Sequence, residues 1–298
     1  MKQPNISQEL LSKLGELLMN NPFAKSLDPN PNNYPEIIYK YRNWNEPYHK
    51  RLLIDNELYM SPPSLFNDPF DFRIYKNHSL LNTPEKIENF INQSIENAAE
   101  WIKDNDKNVI EQKKILEERL SDLTMYQVRS DYHDNEMYNN FFGVACFSKK
   151  WNSTLMWSHY ANNHNGFCLG FDEKRIRYSM LFGMCDYVKY SEDYPIIHPN
   201  DNNVIRRQLQ IFTKSIEWEY EQEYRVVKLY YNDGIAEPDS PKRIVKLDNT
   251  FITEVILGLA MSKKDKIEIT QIAKDRNIDV YEIFKVPNKF ELEKFKID

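Results

Sequence analysis

The sequence predicts an α+β fold with a central mixed, largely antiparallel β-sheet and flanking helices. Short apolar segments of strand length are interspersed with segments of helical period along most of the chain. The last third ends in a clear β-α-β pattern over 253–284. Strands and helices combined in this way indicate a mixed sheet covered by helices. A chain of 298 residues is also long enough to bury a substantial core.

The N-terminal part is predicted to hold a separate helix and a linker. Leucines recur at helical spacing over 7–19, and a Pro/Asn-rich stretch over 27–36 follows them. We therefore divide the chain into residues 1–33, a helix with its linker, and residues 34–298, a single α+β domain.

The predicted domain begins with a strand, a helix and a second strand, over 37–42, 46–56 and 57–61. Two prolines at 62 and 63 end the second strand, because proline cannot donate to a β-ladder. A charged segment of helical period over 84–126 then indicates a helical insertion at about residues 80–130.

The remaining elements follow the same periodicities. The helix after the third predicted strand begins near Ser153, a good N-cap residue, and ends in a turn with Gly166 at its C-cap. Strands are predicted over 141–148, 167–171, 182–190, 223–229, 253–259 and 278–284, and helices over 154–162, 204–216 and 262–276.

Composition excludes several classes of protein. Only 7 glycines are present, which argues against a glycine-rich phosphate loop. Three cysteines without a CxxC pair argue against a disulfide framework and indicate a reducing cytoplasm. No apolar run approaches the roughly 20 residues that cross a bilayer, so we expect no membrane partner, and the N-terminus does not resemble a signal peptide. A net charge of −6 disfavours a global nucleic-acid-binding face but leaves a local groove open.

Histidines and cysteines cluster in the segment 156–172, which raises the question of a metal or a Cys–His nucleophile pair. Structural zinc sites bring their ligands in close pairs, and this segment has none. On a helix, His159 and His164 would point about 140° apart. We expect no metal, and interpret His164 as a turn residue and Cys168 as a packing residue of a strand.

The helix at the start of this segment presents Trp157, His159 and Tyr160. One hypothesis is that these three side chains form a wall of a ligand cleft. The alternative is ordinary core packing for Trp157 and Tyr160, with His159 as a hydrogen-bonded, half-buried residue.

Two carboxylates stand close together in the segment 217–228. If 221–228 is a strand, alternation places Glu221, Glu223 and Arg225 on one face, with the Cα atoms of the two glutamates roughly 7 Å apart. Such a pair can position a hydroxyl, support a developing cation or remove a proton, and Arg225 on the same face is then predicted to contact the substrate. A solvated face with a Glu–Arg pair is the simpler alternative.

Arg42 and Ser61 end the two predicted strands near the start of the domain. Arginine binds phosphate well through its fixed fork of donors, and serine can hold a ribose or an amide. A surface salt bridge is the alternative for Arg42. In the following loop, Asn67, Asp68 and Asp71 are interpreted as turn formers or, alternatively, as substrate contacts.

Three blocks together resemble a bacterial family of unknown function, DUF2971. They are 38-IYKYR-42 with 57-ELYMSPPSLFNDPFDF-72, 146-CFSKKWNSTLMWSHYANNHNGFCLGFD-172, and 218-WEYEQEYRVV-227. The resemblance covers roughly residues 37–285. It implies no activity by itself.

The order of these elements also resembles the NAD-binding half of ADP-ribosyltransferases. This resemblance implies an ADP-ribosyltransferase-like sheet, NAD⁺ as co-substrate, Arg42 as an NAD contact and Ser61 beside the nicotinamide ribose. It also implies that Glu223 is the catalytic carboxylate and Glu221 its upstream partner, although which of the two is catalytic stays open. The sequence departs from the family in lacking a Ser-x-Ser motif, since 61-SPPS-64 interposes two prolines.

Three functional hypotheses follow. The first is an enzyme that cleaves NAD⁺ and modifies a nucleic acid or a protein, in phage defence or a toxin system, with Tyr59 or Trp157 stacked on a flat ring. It requires Arg42, Ser61, His159 and Glu223 to converge on one cleft. The second is a non-catalytic module that binds a nucleotide or nucleic acid. The third is a hydrolase or nuclease that uses Glu221 and Glu223 with a metal, for which the sequence supplies no convincing third ligand. The oligomeric state stays open.

Overall fold

The computed structural model describes residues 34–201, 203–230, 234 and 236–297. The helix predicted over 7–19 lies outside these residues. Within them, no helix is both long and apolar enough to cross a bilayer.

Twelve strands form one large sheet and two small ladders in this part of the chain. The eight-stranded sheet has the order β12-β11-β10-β4-β1-β3-β8-β5. Within this eight-stranded sheet, β10 and β11 are the single parallel pair, so the predicted mixed, largely antiparallel sheet is confirmed. The strands are β1 (Ile37–Arg42), β2 (Glu57–Tyr59), β3 (Phe142–Ser148), β4 (Phe167–Asp172), β5 (Met184–Tyr187), β6 (Lys189–Ser191), β7 (Thr213–Ser215), β8 (Glu223–Leu229), β9 (Ile244–Lys246), β10 (Ile252–Leu257), β11 (Asp279–Lys285) and β12 (Leu292–Ile297).

The helices flank this sheet, and four of them follow one another between β2 and β3, where a helical segment is predicted. This run extends to Phe141, beyond the predicted end. The α-helices are α1 (Pro47–Ile54), α2 (Pro84–Asn97), α3 (Ala99–Asp104), α4 (Val109–Leu120), α5 (Leu123–Phe141), α6 (Thr154–Tyr160), α7 (Glu173–Tyr178), α8 (Asn203–Phe212) and α9 (Lys263–Asp275), and short 3₁₀ turns lie at Pro63–Leu65, His78–Leu80, Ile216–Glu221 and Pro241–Arg243.

Helix α6 begins as predicted, because the Ser153 side chain accepts a hydrogen bond from the Met156 amide. Its end differs from the prediction. The C-cap is Ala161, and the left-handed backbone of the turn falls on residues 162–164 rather than on Gly166. Asparagine tolerates that conformation better than most residues, which removes the need for glycine in the turn.

Glycine is required at 166 for a different reason. A Cβ atom there would lie 2.1 Å from the carbonyl oxygen of Arg42 and 2.9 Å from that of Ala161. Both are backbone atoms, so neither can move aside cheaply. The close approach fixes the end of β1 against the chain that enters β4.

The strand–helix–strand pattern over 37–61 does not place its two strands side by side. β2 pairs with β9 in a separate ladder, while β1 lies between β4 and β3 in the large sheet. Beyond β2, Ser61 forms an isolated antiparallel bridge with Val144 of β3. The two predicted strands therefore belong to different ladders, and the loop after β2 contacts the central sheet.

The large sheet divides between β1 and β3. β1 pairs with β4 along its whole length, from Ile37 to Arg42. With β3 it shares one register position, Tyr39 opposite Ser148. Beyond that position the facing edges of the two strands do not pair, and the Ser61 loop borders the edge of β3. The division leaves room for a cleft within the sheet.

The core lies on both faces of the sheet, and alternation along each strand decides which residue faces which layer. Ile38 belongs to the larger cluster, with Phe147 and Tyr224. Tyr41 belongs to the opposite cluster, which also contains Trp157 and fully buried Cys168. The interpretation of Cys168 as a packing residue is confirmed.

The β-α-β pattern at the end of the chain is confirmed as β10, α9 and β11. The final strand β12, opposite β11 at the edge of the sheet, is absent from the predicted elements. Half of its residues, 292-LEKFKI-297, are charged, which is typical of an exposed edge strand. A prediction from the spacing of apolar residues therefore misses this strand.

Candidate functional site

A cleft of about 400 Å³ lies where the sheet divides. Its volume is in the range of small-molecule sites. β1, β3, the loop after β2 and the start of β8 all contribute to its walls. The predicted site residues that line it are Arg42, Tyr59, Ser61, Asn67, Tyr160, Glu221 and Glu223.

Glu221 and Glu223 meet at one cation, but not by strand alternation. Glu221 ends a 3₁₀ turn, Gln222 adopts a left-handed backbone with φ +46°, and Glu223 begins β8. This reversal turns both carboxylates toward Lys214, whose Nζ lies 2.6 Å from Glu221 Oε2 and 3.3 Å from Glu223 Oε2. The pairing is as predicted, whereas the extended backbone at Glu221 is not.

Arg225 holds Glu223 from beneath the cleft. Its Nε lies 2.6 Å from Glu223 Oε1 and its Nη2 lies 2.5 Å from Asp71 Oδ2. The guanidinium also donates to the carbonyl oxygen of Ile211 and is fully buried. The structure thus places Arg225, predicted to bind substrate, behind the cleft as the partner of two carboxylates.

Asp71 is more than a turn former. It lines the cleft and is buried against Arg225, with Lys214 at 3.8 Å. We call Asp71, Lys214, Glu221, Glu223 and Arg225 the carboxylate cluster. With all five ionised, three carboxylates face two cations, which leaves one negative charge beside the cleft.

The cluster moves the pKa values of its two glutamates in opposite directions. Burial raises the pKa of Glu221 even though Lys214 opposes the shift. Burial acts on Glu223 in the same direction, but Arg225 and Lys214 together outweigh it and lower the pKa of that carboxyl. Glu223 is therefore a fixed anion, and Glu221 is the carboxylate better suited to exchange a proton.

Tyr160 and Asn67 extend the cluster toward the mouth of the cleft. Tyr160 donates its phenolic hydrogen to Glu221 Oε1 at 2.5 Å, and Asn67 Nδ2 donates to the Tyr160 hydroxyl at 3.1 Å. The Glu221 backbone is fixed as well, since Ser148 Oγ donates to its carbonyl oxygen. The Glu221 side chain is thus held by Tyr160 on one oxygen and by Lys214 on the other.

Two cations on β1 form another part of the lining, which we call the β1 wall. Its members are Arg42 and Lys40. Lys40 Nζ donates to the Cys146 carbonyl oxygen at 2.7 Å, and Arg42 Nη1 donates to the Tyr41 carbonyl oxygen at 3.1 Å. Burial lowers the pKa of Lys40 to about 7 and that of Arg42 to about 10.

Tyr59, the last residue of β2, and Ser61 in the loop after it also line the cleft. Ser61 is held by backbone hydrogen bonds to Val144 in both directions. Tyr59 is partly exposed and donates its hydroxyl hydrogen to the Pro238 carbonyl oxygen at 2.7 Å. Its ring lines the cleft, so stacking of a ligand on Tyr59 stays a prediction.

Three further predicted residues do not line the cleft. Trp157 is fully buried and packs edge-on against Tyr41, so its ring has no face for a ligand. His159 is exposed, and its ring lies 5.9 Å from that of Tyr220 outside the lining of the cleft. Asp68 is buried beside a neighbouring cavity, where it accepts a hydrogen bond from the Phe70 amide as a turn former does. The NAD⁺-cleaving hypothesis requires four residues in one cleft. Arg42, Ser61 and Glu223 line the cleft, and His159 does not.

Lys40 and Lys214 are the residues of the site that sequence reasoning did not single out. Lys40 stands in the middle of a strand-like segment, where alternation with Tyr39 and Tyr41 marks it as facing the other side. Lys214 lies in a short strand, β7, within a stretch predicted as helix. No local signal connects it with carboxylates seven and nine residues away.

No group of three or more His, Cys, Asp or Glu side chains within the described ranges is arranged to hold a metal ion. The three cysteines are free.

Comparison with known proteins gives one match. The model of the family DUF2971, described as a protein of unknown function, matches residues 156–226. This segment includes Tyr160, Lys214 and both glutamates of the cluster. No curated protein and no solved structure matches the chain. The resemblance to DUF2971 is thereby confirmed over residues 156–226.

Proposed function

We propose that the cleft binds NAD⁺, breaks the bond between its nicotinamide and ribose, and transfers ADP-ribose to a nucleic-acid or protein acceptor. The observation that carries the proposal is the pair Glu221 and Glu223, whose pKa values are moved apart in a cleft that Arg42 and Ser61 also line. Carboxylates separated in this way can divide the roles of anion and proton acceptor between them.

In the proposed reaction the glycosidic carbon–nitrogen bond breaks, and its electron pair leaves with the nicotinamide. The ribose carbon then carries positive charge. Glu223, ionised and held by Arg225, supplies a preorganised negative charge for that cation. The net negative charge of the carboxylate cluster acts in the same direction.

The acceptor completes the reaction by forming a new bond to the same ribose carbon and losing a proton. Glu221 is the proposed base for that proton, because its raised pKa makes the protonated form more accessible. Tyr160, which donates to Glu221, keeps the carboxylate oriented. Ser61 and Arg42 are proposed to hold the ribose and the diphosphate.

The test is release of nicotinamide from NAD⁺ by the full chain, in the presence of host lysate or nucleic acid. We expect release by the wild type and a loss of at least about 100-fold in E223Q, the scale of removing one preorganised electrostatic group. E219Q is the matched control, since Glu219 is exposed on the same 3₁₀ turn. Absence of release, or equal release by E223Q, would contradict the proposal.

A non-catalytic nucleotide-binding cleft is the second candidate. It is favoured by the saturation of Glu223, whose two oxygens are already bonded to Arg225, with Lys214 near one of them. This candidate predicts that NAD⁺ raises the melting temperature without turnover, and equally so in E223Q.

A further inference from the structure

Lys40 is a buried cation without a carboxylate partner. Its side chain is 6% exposed, and its Nζ makes one hydrogen bond, to the Cys146 carbonyl oxygen. Nζ also lies over the Phe147 ring, 4.9 Å from its centroid. An ammonium carries three donors, so the remaining ones are left for the cleft.

Arg42 repeats this situation two residues further along β1. It shares a face with Lys40, because side chains two apart on a strand point the same way. Its guanidinium has five donors, of which one bonds to a backbone carbonyl. Within the described part of the chain, neither cation of the β1 wall takes part in an ion pair.

The titratable groups around Lys40 do not neutralise it. Arg42 on its own strand repels it, Cys146 on β3 is a neutral thiol whose pKa burial raises, and His49 on α1 is neutral because burial lowers its pKa to about 4. Glu223 on β8 attracts Lys40, but that carboxylate is already bonded to Arg225 and Lys214. The β1 wall therefore lacks an internal counter-ion.

We propose that Lys40 and Arg42 form an anion subsite for a phosphate-class group of the ligand, and that Lys40 takes up a proton when this group binds. A tetrahedral anion with several acceptor oxygens matches two cations that offer donors from one strand face. The inference rests on the proposed function in one respect, since in NAD⁺ the anion would be the diphosphate.

Proton uptake follows because Lys40 is buried with one hydrogen bond and no carboxylate partner, and burial lowers its pKa to about 7 in the unliganded protein. A bound anion keeps Lys40 fully charged, so uptake equals the fraction of lysine that is neutral beforehand. That fraction grows as the pH rises through the pKa of Lys40. Affinity therefore falls with rising pH, approaching roughly tenfold per unit above pH 8.

The experiment is calorimetric titration of the full chain with ADP-ribose and with inorganic pyrophosphate, which need no turnover. Each pH is measured in two phosphate-free buffers of different ionisation enthalpy, because the difference in heat reports the protons taken up. We expect uptake that grows from pH 6 to pH 8. K40M should bind at least about tenfold more weakly and without uptake.

Two further variants separate charge from structure. K40R stays charged at every pH and should bind without proton uptake, even if K40M folds poorly. K264M removes an exposed lysine of α9, outside the cleft, and should behave as the wild type. Proton uptake that persists in K40R would assign the proton to another group and overturn the inference.

Failure of the two proposals is distinguishable. If neither ADP-ribose nor pyrophosphate binds, or if K40M binds as tightly as the wild type, the anion subsite is wrong whatever NAD⁺ assays give. Proton-linked binding without nicotinamide release would support the subsite and contradict only the transferase.

Discussion

The carboxylate cluster and the β1 wall border one cleft, but the charges of the cluster are paired within the protein and those of the wall are not. In the cluster, Arg225 and Lys214 bond to three carboxylates, so most charge is cancelled inside the protein. In the β1 wall, Lys40 and Arg42 bond only to backbone carbonyls. A closed network fixes geometry, whereas an unpaired wall attracts charge from outside. We therefore expect the carboxylate cluster to be the rigid part of the cleft and the β1 wall to be the part that attracts a ligand.

Breaking the closed network should have the largest effect. R225M removes the closest cation of Glu223 and Asp71 and leaves these two buried carboxylates with Lys214 alone. Removing one partner of a buried ion pair costs about 3–5 kcal/mol. We expect a loss of that size in the free energy of unfolding, measured by denaturant titration. R175M is the control, because the Arg175–Asp172 pair is exposed and worth about 1 kcal/mol or less. Equal losses in both variants would show that the cluster is not a closed network.

Displacing the β1 wall should have an intermediate effect. G166A places a methyl group against the Arg42 carbonyl oxygen, and overpacking of this kind costs about 1–3 kcal/mol. G183A is the matched control, since its nearest neighbour, Leu229 Cδ1, lies 3.5 Å from the added Cβ. We expect G166A alone to weaken ADP-ribose binding, while the environment of the cluster stays unchanged. Wild-type affinity for ADP-ribose in G166A would show that the position of the end of β1 does not matter for ligand binding.

The pH dependence of stability should show the smallest difference between the two parts when it is compared over a single pH unit. The folded pKa of Lys40 lies below its ordinary 10.5, so between about pH 7 and 10.5 the unfolded chain binds more protons. Stability from this residue therefore rises with pH in that window, by up to about 1.4 kcal/mol per unit. K40M should lack this slope, and K264M should keep it, in unfolding measured from pH 7 to 10. A K40M curve parallel to the wild type would contradict the unpaired state of Lys40.

Periodicity predicted the strand and helix segments well because each depends on neighbouring residues. The N-cap at Ser153 and the alternation in β1 are local features of this kind. The cleft depends on pairing between distant strands, namely that β1 meets β3 at one position only. Arg42, Ser61 and Glu223 were identified by residue type and place in a motif, while Trp157 was misplaced because an aromatic residue on a helix can face either the core or a cleft.

The sequence by itself determined the α+β class, most element positions and the close pairing of Glu221 with Glu223. Their joint contact with Lys214, the withdrawal of Arg225 beneath the cleft and the unpaired state of Lys40 were decided by the tertiary structure. The physical reason is that the protonation state of an ionisable side chain depends on the residues packed around it. Burial and the nearest opposite charge set what an ionisable group does, and both arise from residues that are far apart along the chain.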